Sequence, residues 1–140
     1  MKISARNQLP GIVKVIERGA VNGSVTLDMG EGLELVANIT NDSIDALGLA
    51  DGLPALALIK ASFVLLSPDA QVKISARNRL QGVISEIITG AVNSEVTLKL
   101  SGGRFLTAII TKDSVAELGL ATGQPCTALI KASHIILAID

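Results

Sequence analysis

Four cations recur in two copies of one setting. Arg6 and Arg77 each stand in Ser-Ala-Arg-Asn, and Lys60 and Lys131 each stand in Ile-Lys-Ala-Ser. A lysine in an apolar run is costly to bury without a partner. It either pairs with a carboxylate, for which Asp42/Asp113 and Asp69/Asp140 recur too, or snorkels to the rim, or receives an anion from outside. Hydroxyls gather near these cations. Ser4 and Ser75 precede the arginines by two, and Ser62 and Ser133 follow the lysines by two. A spacing of two places both members on one face of a strand. Thr40 with Ser43, and Thr111 with Ser114, stand where a short helix is predicted to start. Free amides and the positive dipole end favour an anion there, although an ordinary N-cap pair has the same sequence. Arginine, lysine, hydroxyls and a helix start, present twice, are the donors a tetrahedral oxyanion needs. Gly19-Ala20-Val21-Asn22 and its copy Gly90-Ala91-Val92-Asn93 read as hairpin turns. If copies met on an oligomer axis, Asn22 and Asn93 would line a second anion site.

Other chemistries find no support. His134 is the single histidine, and it occupies the position of Phe63 in the first copy, which marks a packing role. Cys126 matches Ala55, which marks a small buried residue. No Cys/His cluster has metal-ligand spacing, no nucleophile–His–acid set forms in both copies, and no phosphate-binding loop is present. Neither an enzyme nor a metal centre is expected. The net charge is -1, and the aromatics are two Phe without Trp or Tyr. That balance disfavours nucleic acid, which wants a basic surface and stacking platforms. The longest strongly apolar run is too short to span a bilayer, and no secretory signal is visible, so no membrane role and a cytoplasmic location are expected.

The elements that must position these residues come as a duplication. Residues 1–69 align with 72–140 at a constant offset, and about 37 of the 69 pairs are identical. The expected domains are therefore 1–69 and 72–140, joined at Ser67-Pro68-Asp69-Ala70-Gln71. In each copy, β-branched runs bounded by Gly or Asn read as strands, at 11–16, 24–29 and 33–39 in the first. Residues 55–66 form a long apolar stretch broken only by Lys60 and Ser62, which reads as a strand with Lys60 inside it. Ser43 to Leu47 reads as a helical turn or two, closed by Gly48. This pattern predicts an all-β fold with short helices: two tandem OB-type Greek-key barrels. A sandwich of two swapped halves is the alternative. Units this small hold little core. Apolar terminal segments with both faces buried imply an interface between repeats or subunits.

Ser-Ala-Arg-Asn, Gly-Ala-Val-Asn, Leu-Gly-Leu and Lys-Ala-Ser, in that order and found twice, resemble the molybdate-binding Mop (TOBE) domain. Two such domains in tandem resemble the di-domain molbindins. The resemblance implies OB-type barrels, a homotrimer, and molybdate or tungstate bound at domain and subunit interfaces, for molybdenum storage and homeostasis. It implies oxyanion ligands at Ser4, Arg6, Thr40, Ser43, Lys60 and Ser62, and at Ser75, Arg77, Thr111, Ser114, Lys131 and Ser133, with Asn22 and Asn93 as axial candidates. The repeats differ at Gln8/Arg79, Asp28/Lys99 and Asn41/Lys112. The extra cations Arg79 and Lys112 predict a more electropositive pocket at the second motif. The rival readings are a sulfate or phosphate binder with the same donors, and a purely structural oligomer in which the cations pair with carboxylates.

Overall fold

The computed structural model describes all 140 residues. The first repeat forms strands β1 (Asn7–Arg18), β2 (Asn22–Asp28) and β3 (Glu34–Thr40). Helix α1 (Asn41–Leu47), β4 (Pro54–Ile59), a 3-10 turn at Ala61–Phe63 and β5 (Leu65–Ser67) complete it. The second repeat gives β6 (Asn78–Thr89), β7 (Asn93–Leu100), β8 (Phe105–Thr111), α2 (Lys112–Leu118) and β9 (Pro125–Ile130). A 3-10 turn at Ala132–His134 and β10 (Ile136–Ala138) close the chain.

The strands form as their patterns dictate. In β1, Leu9 and Val13 turn inward between exposed Pro10, Ile12 and Lys14. The alternation shifts at a bulge between Val13 and Val15, where the long strand bends from one partner to the next. Val25 and Leu27 of β2 and Leu35 and Ala37 of β3 face the same interior. Gly11 sits where the end of β2 passes close to β1: a Cβ there would lie 3.1 Å from the Asp28 carbonyl oxygen. Helix α1 ends at Gly48, whose φ of 63° supplies the left-handed residue that closes a helix.

The two sheets are antiparallel, with orders β10-β4-β1-β2-β3 and β5-β9-β6-β7-β8. Each curls, and its fifth strand also approaches the opposite edge, as in an OB-type barrel with a helix between the third and fourth strands. That fifth strand comes from the other repeat. Leu137 of β10 pairs with Ala57 of β4, and Leu66 of β5 pairs with Ala128 of β9. The tandem-barrel expectation is met, and the barrels are closed by exchanged strands. The sheets therefore do not divide where the repeats do.

The exchange explains the apolar surplus. One core cluster of 28 buried residues runs through both repeats. Leu58 and Leu129 point to the other face of β4 and β9 and are buried as well. The structure corrects the sequence reading of 55–66, because the stretch is not one strand. It breaks after Ile59 into a 3-10 turn, and Lys60 stands at that break, exposed rather than buried in an apolar strand. The backbone leaves the ladder there, so the ammonium reaches solvent without a desolvation cost.

Candidate functional site

The two Ser-Ala-Arg-Asn segments and the two Lys-Ala-Ser segments leave the same ends of their ladders. Asn7 pairs with Ile59, and Asn78 with Ile130. Arg6 and Lys60 are the next residues beyond the first pair, and Arg77 and Lys131 the next beyond the second, where each ladder has ended. Each group then lies against the other repeat. The turn at Ala61–Phe63 packs on β8, and the turn at Ala132–His134 packs on β3. The candidate sites are thus built across the repeats, with the motif from one and the sheet beneath it from the other.

The asparagine that ends each motif fixes this placement, and nothing in its residue type singled it out beforehand. Asn7 Nδ2 donates to the carbonyls of Ile59 and Thr107 at 3.2 and 2.8 Å, and its Oδ1 accepts from the Thr107 amide at 2.8 Å. Asn78 makes the same three bonds to Ile130 and Val36. Both asparagines are 3% exposed, so their amides are structural pins, not ligands. The usable signal was their recurrence beside an arginine, which by itself reads equally well as a surface motif.

Among the cations, Arg6 has a partner within the chain. Its Nη1 and Nη2 donate to Glu95 Oε1 and Oε2 at 2.8 and 3.2 Å. These hydrogen bonds, and then the carboxylate charge, raise the Arg6 pKa still further. Arg77, Lys60 and Lys131 form no ion pair in the chain. The aspartates considered as partners for Lys60 do not meet it. Its ammonium instead sits 5.3 Å from the centre of the Phe63 ring. Phe63 in turn stacks on His134 across the repeat boundary, with ring centroids 4.5 Å apart, which is the packing role expected of that histidine. Ser4, Ser62, Ser75 and Ser133 are exposed and hold no side-chain hydrogen bond within the chain.

The helix-start hydroxyls behave as caps. Thr40 Oγ accepts from the Ser43 amide at 3.1 Å and donates to Ser43 Oγ at 2.9 Å. Thr111 and Ser114 repeat this at 3.1 and 2.7 Å. Thr40 stands four residues along β3 from Val36, the residue that Asn78 holds. At the rise of a strand that is about 13 Å. Within one chain these hydroxyls bond to the helix starts and form no hydrogen bond with an arginine.

Asn22 and Asn93 open β2 and β7 at exposed turns, next to Val21 and Val92, which are 70% and 72% exposed. Arg79 donates to the Ile74 carbonyl, while Gln8 donates to those of Ile3 and Ala5. Both residues tether the segment that carries the motif. Cys126 is buried with Sγ 3.6 Å from the Ser67 carbonyl, and burial pushes its thiol pKa up. No group of three His, Cys, Asp or Glu converges on one point. No helix is long and apolar enough to cross a membrane.

Paired five-stranded sheets, curled and closed by exchanged strands, with cations and hydroxyls recurring in both repeats, define a tandem all-β module of OB type. The chain belongs to the TOBE-domain family: the TOBE domain model matches residues 3–66 and 74–137. It is 46% identical over 140 residues to the molybdenum-pterin-binding protein MopA of Rhodobacter capsulatus, covering 99% of this chain and 53% of that protein. It is 43% identical over 139 residues to the molybdenum transport protein ModE of Azotobacter vinelandii, covering 99% and 52%. The chain thus spans about half the length of the curated relatives it matches. Among solved structures it resembles the cytoplasmic molybdate-binding protein ModG with molybdate bound. That likeness has a TM-score of 0.96 and 48% identity, and covers 100% of both chains.

Proposed function

We infer that this chain binds molybdate, and tungstate by the same chemistry, for molybdenum storage and homeostasis in the cytoplasm. The observation that supports this most directly is the full-length likeness to ModG, a molybdate-binding protein, at a TM-score of 0.96. Capture is reversible and non-covalent, and no bond is made or broken. Arg6 with Lys60, and Arg77 with Lys131, supply the charge. Ser4, Ser62, Ser75 and Ser133 supply charge-assisted hydrogen bonds to the oxygens. Such a donor set suits a dianion and disfavours hydrogen phosphate, which carries a proton of its own.

In this reading the repeats 1–69 and 72–140 are the two binding units, and three chains assemble as a homotrimer. Exposed apolar residues on both repeats, among them Ile12 and Val83 and Leu65 and Ile136, favour such an assembly. Thr40, Ser43, Thr111 and Ser114 then approach an oxyanion from a neighbouring chain, and Asn22 and Asn93 meet at its axis.

The test is isothermal titration with molybdate, with sulfate and phosphate as controls. Saturable molybdate binding above one per chain, with little heat from the controls, supports the reading. No heat with molybdate leaves an oligomeric barrel whose cations serve structure alone.

A further inference from the structure

The repeats differ at the one place where a carboxylate reaches a motif arginine. Glu95 takes both Nη atoms of Arg6, the two-pronged geometry in which a guanidinium also grips one edge of an oxyanion. The duplicate of Glu95 is Ser24, whose hydroxyl donates to Asn38 Oδ1 at 3.0 Å. In the second repeat the position of Asn38 is Ile109, which offers Glu95 no such partner. The approximate twofold relation that carries the Asn7–Thr107 bonds onto the Asn78–Val36 bonds also carries Arg6–Glu95 onto Arg77–Ser24. At the position equivalent to Glu95 the first repeat thus carries a neutral hydroxyl, and Arg77 forms no ion pair. One motif arginine is neutralised by its own chain, and the other keeps its charge free.

We propose that Glu95 is an internal counter-anion that competes with the oxyanion for Arg6, so that the site at Arg77 fills first and the site at Arg6 fills only as Glu95 withdraws. This rests on the oxyanion-binding reading above. The competition is reversible because the pair is open to water, with side chains 48% and 35% exposed. Exposed pairs of this kind are weak enough to exchange. While Glu95 stays in place it also repels an incoming dianion.

The experiment is calorimetric titration of the whole chain with sodium molybdate, for the natural sequence, Glu95→Ser, Glu95→Gln and the mirror change Ser24→Glu. Circular dichroism melts confirm that each variant folds. The natural chain is expected to show two classes of site. Both Glu95 variants tighten the weaker class about two- to fivefold, the scale of an exposed ion pair, and leave the stronger class unchanged. Ser24→Glu weakens the stronger class. Equal sites in the natural chain, or Glu95 variants that bind no tighter, overturn the proposal while leaving molybdate binding intact. Absence of any molybdate binding in the natural chain removes the functional reading, and the proposal with it.

Discussion

The side-chain amide of Asn7 pairs with the backbone of Thr107 as a strand would, donating to its carbonyl and accepting from its amide, both at 2.8 Å. These two bonds join residues 100 apart in sequence and lock the motif of the first repeat onto the sheet of the second. Truncation in Asn7→Ala leaves the Thr107 amide and two carbonyls short of partners in a buried place. The expected loss is about 1–3 kcal/mol, read by urea denaturation. Asn78→Ala should lose a similar amount, since it makes the same three bonds. Asn7→Asp should be worse than Asn7→Ala, because it keeps the acceptor, removes the donor and buries a charge. A loss confined to one of the two asparagines would break the twofold argument.

The duplication also records a packing compensation. A Cβ on Gly23 would lie 2.6 Å from Ile44 Cδ1. The second repeat has Ser94 and Val115 at these positions, so a Cβ is gained where a terminal methyl is lost. Gly23→Ala alone should therefore cost about 1–3 kcal/mol by overpacking. Ile44→Val alone should cost about 0.5–1.5 kcal/mol. The double variant should be more stable than Gly23→Ala, giving a favourable coupling in a double-mutant cycle. Simple additivity would show that the strand moves to make room instead.

Much of this molecule is written locally or in its duplication, and the contacts that join one repeat to the other are not. The helix at Asn41–Leu47, its closing Gly48 and the turn from Gly19 to Asn22 follow from capping and turn chemistry within a few residues. The strand alternation and the repeat were equally plain. The exchange of β5 and β10 was not, because either copy of the last strand satisfies the same pattern. The choice depends on where the short joint after Ser67 lets the chain go. The break at Lys60 leaves no mark in the pattern because the residues on both sides are apolar, although the turn buries only Ala61 of its three residues. For the site, recurrence located the arginines and lysines. The pairing of Arg6 with Glu95 joins residues 89 apart and leaves no periodic trace.

The capping bonds separate two roles for Thr40. If its hydroxyl serves chiefly the helix, Thr40→Ala should cost about 1 kcal/mol and Thr40→Ser very little. Thr111→Ala should match it, given the same geometry in α2. Molybdate titration of these variants then measures any part the hydroxyl plays across a subunit boundary. Weaker binding by Thr40→Ala with full rescue by Thr40→Ser places the hydroxyl in a site shared between chains. Unchanged binding confines it to capping.

The pair of Arg6 and Glu95 has a titration signature of its own. Hydrogen bonding from Arg6 holds the Glu95 carboxyl below the usual glutamate value, burial opposes this in part, and the guanidinium charge adds to the lowering. A depressed carboxyl favours the folded state above the ordinary glutamate pKa. That contribution is lost as pH falls through the depressed value, so the pair weakens only on the acid side. Carbon-detected NMR of the Glu95 carboxyl should give a midpoint below the ordinary value, and Arg6→Gln should move it up. Added molybdate should also move it up in the natural chain, because an oxyanion on Arg6 takes the donors from Glu95 and adds a negative charge beside it. Sulfate should do so less. A midpoint indifferent to both Arg6→Gln and molybdate would mean that the carboxylate and the guanidinium do not meet in solution.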